Sequence, residues 1–185
     1  MSKVYVFLAD GFEEIEALTV VDMLRRVNVE TVMVSVSGRK NVTGSHKISV
    51  ETDVLFEKAD FSDGCMAVLP GGMPGTLHLQ EHKGLRKLLN TYNEEKKYIA
   101  AICAAPSVLG ACGLLEGRHA TCYPGFEEKL TGAGVMKDAV VIDGNVVTSR
   151  GMGTAIAFGA ALVSLLTTEE KAAELLDSIQ YRKGE

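Results

Sequence analysis

The stretch KKYIAAICAAPSVLG (residues 96–110) joins two patterns at one cysteine. Before it, Tyr98-Ile99-Ala100-Ala101-Ile102 is an apolar run of strand length, and after it small residues and Pro106 lead into a helical segment. Cys103 therefore falls where a strand turns sharply into a helix. Two explanations fit a thiol there. It is a packed core residue, as free cysteines usually are, or it is a nucleophile on a tight elbow, with Ala101, Ala104 and Ala105 as the small neighbours such a turn needs. In the second case the partial positive charge and free N–H groups of a helix start are expected to lower its pKa.

Outward from this junction the alternation recurs. KVYVFLA (3–9) is strand-like and stops at Asp10-Gly11, and EEIEALTVVDMLRRV (13–27) has the mixed three-and-four apolar spacing of a helix. VETVMVSVS (29–37) is a second strand, and GRKNVTGSHKISVETDVLF (38–56) suggests a hairpin excursion. CMAVLP (65–70) is a third core strand, stopped by the loop GGMPG (71–75). HKGLRKLLNTYNEEKK (82–97) and PSVLGACGLL (106–115) are helical, HATCY (119–123) is a short strand, and AVVIDGNVVTS (139–149) is a hairpin around Asp143-Gly144-Asn145. Residues 153–182 supply one or two final helices, with a break at Thr167–Glu170 where Thr168 and Lys171 form no capping box. Strands alternating with helices imply an α/β fold, a mostly parallel sheet covered on both faces.

At 185 residues the chain is expected to form one domain, 1–185. A formal charge of -5 without a Lys/Arg block argues against nucleic acid as a partner. The apolar run Val4–Ala9 is too short for a signal peptide, and TAIAFGAALVSLL (154–166) is shorter than the roughly 20 residues that span a bilayer. A cytoplasmic protein without membrane contact is the expectation. Cys65, Cys103, Cys112 and Cys122 show neither CxxC nor zinc-type Cys/His spacing, so free thiols and no metal are expected.

In an open α/β sheet, ligands gather at the carboxyl ends of the strands. Three segments leave such ends here: ADGFEEIE (9–16), PGGMPG (70–75) and CAAPS (103–107). Glu13, Glu14 and Glu16 fall in the first turns of a helix, where acids ordinarily face solvent as dipole partners. One of them pointing back to the thiol would be buried, neutral and able to donate a hydrogen bond to sulfur. The apolar neighbours Ile15 and Ala17 make Glu16 the most enclosed. Gly71 and Gly72 either form a plain tight turn or let backbone N–H groups approach a reacting oxygen. No GK[ST] follows LPGGMPG, and Ile156 breaks GxGxxG in GMGTAIAFG, so neither loop reads as a nucleotide site and no cofactor is expected. Of the histidines, His78 and His82 are expected to be exposed near a helix, and His119 would have to fold back to reach Cys103.

Taken together, GFEEIE, LPGG, AICAAP and TSRG-x-GT, in this order and spacing over nearly the whole chain, resemble the ThiJ/PfpI superfamily, in the branch of the parkinsonism-associated deglycase. The resemblance implies a flavodoxin-like three-layer sandwich related to class I glutamine amidotransferases. It also implies Cys103 as nucleophile, Glu16 as its protonated partner, and the N–H groups of Gly72 and Ala104 as oxyanion donors. Gly71, Tyr123 and Arg150 would belong to the substrate pocket. Tyr123 stands in ATCYPG where the branch has a histidine, and Met152 where it has a proline. The first departure leaves the tyrosine hydroxyl as a substitute donor. The peptidase branch has His after the nucleophile, where this chain has Ala104, and the His-x-Glu pair of the glutaminase branch is not found. The resemblance then implies a cofactor-independent glyoxalase or deglycase acting on α-oxoaldehydes such as methylglyoxal, with a redox-sensing stress-response role for Cys103, or a binding module that does not use the elbow, as the alternatives. The family is typically a homodimer with the first helix in the interface, where Arg26 and His46 match a basic pair.

Overall fold

The computed structural model describes residues 3–181, so Arg182, at the end of the last expected helix, lies outside the described residues. In chain order the first half comprises β1 (Lys3–Leu8), α1 (Glu14–Arg26), β2 (Glu30–Ser35), β3 (Asn41–Thr43), β4 (Ser49–Glu51), β5 (Val54–Leu55) and β6 (Met66–Leu69). α2 (Gly75–Glu81), α3 (Lys83–Glu94), β7 (Tyr98–Ile102), α4 (Pro106–Ala111) and β8 (His119–Ala120) follow. The chain continues with β9 (Gly134–Val135), β10 (Val140–Asp143), β11 (Val146–Ser149), α5 (Ala155–Leu166) and α6 (Glu169–Ser178).

Seven strands form one sheet in the order β10-β11-β7-β6-β1-β2-β5, parallel throughout except for β10 against β11. Both faces are covered, which is why the central strands read as unbroken apolar runs. Along β1, Val4, Val6 and Leu8 pack with Val20 and Leu24 of α1, Phe158 and Leu162 of α5 and Leu175 of α6. Tyr5 and Phe7 point the other way, into a core with Leu79 of α2, Leu85 and Leu89 of α3 and Val108 of α4. The result is a three-layer, flavodoxin-like sandwich. From β1 the chain adds β2 on one side and then returns to add β6 on the other. That reversal opens a crevice at the carboxyl ends of β1 and β6, where such sheets bind ligands.

The β3–β4 hairpin and the β10–β11 hairpin form as expected. The break between α5 and α6 is set by Thr168, whose hydroxyl accepts the Lys171 N–H at 3.2 Å. A single N-cap suffices there without a capping box. The sequence pattern missed α2. GGMPG is a loop only through Pro74, and Gly75 already begins a helix that runs to Glu81. His82, expected to be exposed, is half-buried; its Nδ1 accepts the Leu85 N–H at 3.0 Å and caps α3. Among the described residues no helix is long and apolar enough to cross a membrane.

Candidate active site

Cys103 follows the last residue of β7 and adopts φ +66°, a left-handed conformation rare for residues other than glycine and costing on the order of 1 kcal/mol or more. Backbone hydrogen bonds hold it there. Its N–H donates to the Ser149 carbonyl at 2.9 Å and its carbonyl accepts the Tyr123 N–H at 2.8 Å. The buried Ala104 and Ala105 follow, as a turn against a packed sheet requires.

Glu16, only 1% exposed, reaches this turn from α1. Its Oε2 accepts the Gly71 N–H at 2.8 Å, its side chain hydrogen-bonds Cys103, and its buried Oε1 has no conventional partner. Gly71 is demanded by this approach: a Cβ there would stand 2.6 Å from the Cys103 Cβ and 2.8 Å from Oε2. Gly72 (φ +87°) is equally constrained, since its Cβ would collide with the Glu13 backbone nitrogen. The two glycines thus divide the work. The Gly71 N–H is committed to Glu16, whereas the N–H groups of Gly72 and Ala104 are directed at the sulfur.

Burial raises the Glu16 pKa to about 7. Burial, then the charge of the ionised Glu16 beside it, pushes the Cys103 thiol up to about 12, against the pull of the Ala104 and Gly72 N–H groups. With Glu16 ionised, the expected lowering by a helix terminus is outweighed. α4 has only six residues and begins at Pro106, so its dipole is weak at the sulfur. The two groups form one coupled pair. A proton on Glu16 removes the repulsion and lets the carboxyl donate to sulfur.

The pair opens into a cavity of about 520 Å³, lined also by Glu13, Tyr123, Arg150, Met152 and Thr154. Tyr123 is 50% exposed, and its ring lies against Gly151. Of the expected pocket residues, Tyr123 and Arg150 therefore line the cavity, while Gly71 sits buried behind the pair. His119 does not fold back; it is exposed, with Nδ1 3.3 Å from Asp143. Cys65, Cys112 and Cys122 lie outside the cavity.

Glu14 was not anticipated as a buried residue. It is 3% exposed and accepts the N–H groups of His46 at 2.9 Å and Ile48 at 3.3 Å in the loop between β3 and β4. A first-turn acid is ordinarily solvated, and the sequence holds no signal against that. Glu13, Glu14 and His46 bring metal-ligating atoms within 4.8 Å of one another, although Glu14 is already engaged by the hairpin. Arg26, the other member of the basic pair, binds Asp22 at 2.6 Å at the far end of α1.

A family model described as the DJ-1/PfpI family matches residues 2–165. The chain is 40% identical over 182 residues to a protein DJ-1 homolog B of Arabidopsis thaliana, covering 97% of this chain and 42% of that one. It thus spans less than half the length of that plant relative. It is 34% identical over 167 residues to a deglycase of Pyrococcus abyssi, covering 89% of this chain and 99% of the relative. In structure it is similar to the oxidized DJ-1 of Toxoplasma gondii, with a TM-score of 0.95, 34% identity and coverage of 99% and 100% of the two chains. The fold, the thiol turn and these matches agree: the chain belongs to the DJ-1/PfpI family.

Proposed function

We propose that the protein is a cofactor-independent glyoxalase or deglycase acting on methylglyoxal-type α-oxoaldehydes or their adducts with amines and thiols. The observation that carries this is the pairing of Cys103 with Glu16 in one cavity, with two backbone N–H groups directed at the sulfur. In the reactive form the shared proton sits on Glu16 and the sulfur is a thiolate. Sulfur attacks the aldehyde carbon, and the oxygen takes a proton to give a hemithioacetal. Glu16 then moves a proton from that carbon to the adjacent one through an enediol, so that the first carbon is oxidised and the second reduced. Water cleaves the thioester, releasing lactate from methylglyoxal and returning a proton to the pair. The N–H groups of Gly72 and Ala104 stabilise the developing oxyanion, and the Tyr123 hydroxyl serves as the donor at the rim. Relatives named as deglycases support the enzymatic reading. Assaying lactate from methylglyoxal tests it: Cys103→Ser at full turnover would reject the mechanism.

A second function is favoured by the same N–H groups, which can hold the oxygens of a sulfinate as well as an oxyanion. In this reading Cys103 is a redox sensor in the stress response, oxidised in preference to Cys65, Cys112 and Cys122. Peptide mass spectrometry after mild peroxide checks it; oxidation spread evenly over the four thiols would exclude a special site. The working protein is a cytoplasmic homodimer in this proposal. Ile15 of α1 and Ile48 of the adjoining hairpin, 51% and 55% exposed, support an α1 interface.

A further inference from the structure

Glyoxalase chemistry by Cys103 and Glu16 leaves Arg150 without a role. Arg150 follows β11, and its neighbour Gly151 runs along the nucleophile: a Cβ built there would stand 3.9 Å from Sγ. Arg150 is the one basic residue lining the cavity, and it is half-buried. Among the described residues its guanidinium makes no hydrogen bond or ion pair. Of the nearby acids, Glu127 feels the charge of the guanidinium without hydrogen-bonding it and accepts the Gly125 N–H at 2.6 Å, and Glu13 accepts from Ser45 at 3.2 Å and faces His46 at 3.4 Å. A half-buried guanidinium offers five donors in a fixed fork that matches a carboxylate, and leaving them unpaired is unfavourable.

We infer that the cavity selects α-oxoaldehydes carrying a carboxylate beyond the ketone, and that Arg150 is the specificity-determining residue that binds that carboxylate while Cys103 attacks the aldehyde. The inference rests on the glyoxalase reading of the same site and names its substrate class. Methylglyoxal has only a methyl group in that place and leaves the guanidinium unsatisfied. For 4,5-dioxopentanoate the reaction balances with water alone. The thiolate adds to C5, a proton passes from C5 to C4 by way of Glu16, and hydrolysis of the thioester gives 2-hydroxyglutarate. C5 is oxidised and C4 reduced by the same electron pair, so no outside oxidant or reductant is needed.

The test compares kcat/KM for 4,5-dioxopentanoate and methylglyoxal in the wild type, Arg150→Gln and Arg150→Lys. A charge-assisted hydrogen bond supports a preference of about ten-fold or more for the carboxylated aldehyde. Arg150→Gln is expected to lower the ratio by that factor, chiefly through KM, with partial recovery in Arg150→Lys. The methyl ester of 4,5-dioxopentanoate should lose the preference on the unaltered protein, which keeps the test open should the variants fail to fold. Methylglyoxal turnover without preference for the acid over its ester, or an unchanged ratio in Arg150→Gln, overturns the inference and leaves the glyoxalase reading standing. Turnover of neither aldehyde overturns both.

Discussion

Glu14 and Glu16 lie two residues apart at the start of α1, both almost fully buried, yet their surroundings move them in opposite directions. Burial alone would raise both. At Glu14 burial is outweighed by hydrogen bonds from the helix's own N–H, from the His46 imidazole and from the N–H groups of His46 and Ile48, so its pKa is lowered. At Glu16 the Gly71 N–H and the thiol are too few, and burial prevails. A glycine makes room for each carboxylate: a Cβ on Gly44 would collide with Glu14, as one on Gly71 would crowd Glu16. The supply of donors, not depth, decides which carboxyl is structural and which is free to move a proton.

The comparison is broken most severely at the reacting pair. Cys103→Ser should reduce turnover by about three orders of magnitude or more, and Glu16→Gln by about a hundred-fold to ten-thousand-fold. Both are read in a steady-state methylglyoxal assay; near-normal turnover in either removes the pair from the chemistry. Gly71→Ala should cost about a hundred-fold by forcing thiol and carboxyl apart, with the loss appearing in kcat.

On the other side of the helix start, Glu14→Ala should reduce stability by about 1–3 kcal/mol, because two N–H groups lose their acceptor. Turnover per folded molecule should persist. Denaturant unfolding beside the activity assay separates the two effects, and the converse pattern would exchange the roles of the two acids.

The smallest effect is in the pH dependence of stability. Glu16 binds its proton more tightly in the folded protein, so its contribution weakens as pH rises from its ordinary 4.5 through about 7. Glu14 has the opposite sign: its contribution is present above 4.5 and fades as pH falls through its lowered folded value. Glu16→Gln should therefore flatten the neutral limb of the stability profile and Glu14→Ala the acid limb. Unfolding midpoints measured at several pH values would show whether each variant alters its own limb.

Much of this was legible before the structure. The apolar runs of β1, β6 and β7 mark strands buried on both faces, and Cys103 announces itself because a thiol among alanines ends one of them. Of Ile15 and Ala17, the neighbours that marked Glu16 as the enclosed acid, only Ala17 is itself buried. Glu14 stayed hidden because its partners come from a hairpin more than thirty residues away, and no local pattern encodes that contact. α2 was concealed by the glycines before it. A helix start at Cys103 is visible in sequence, whereas the burial beside a charged carboxylate that opposes its pull on the thiol is a property of packing.

The most direct test is a pH titration of thiolate absorbance in the wild type, with Cys103→Ser as the blank. If Glu16 holds the shared proton, the sulfur is already ionised at neutral pH. A thiolate that emerges only towards pH 12, as burial beside a charged Glu16 would impose, contradicts that arrangement.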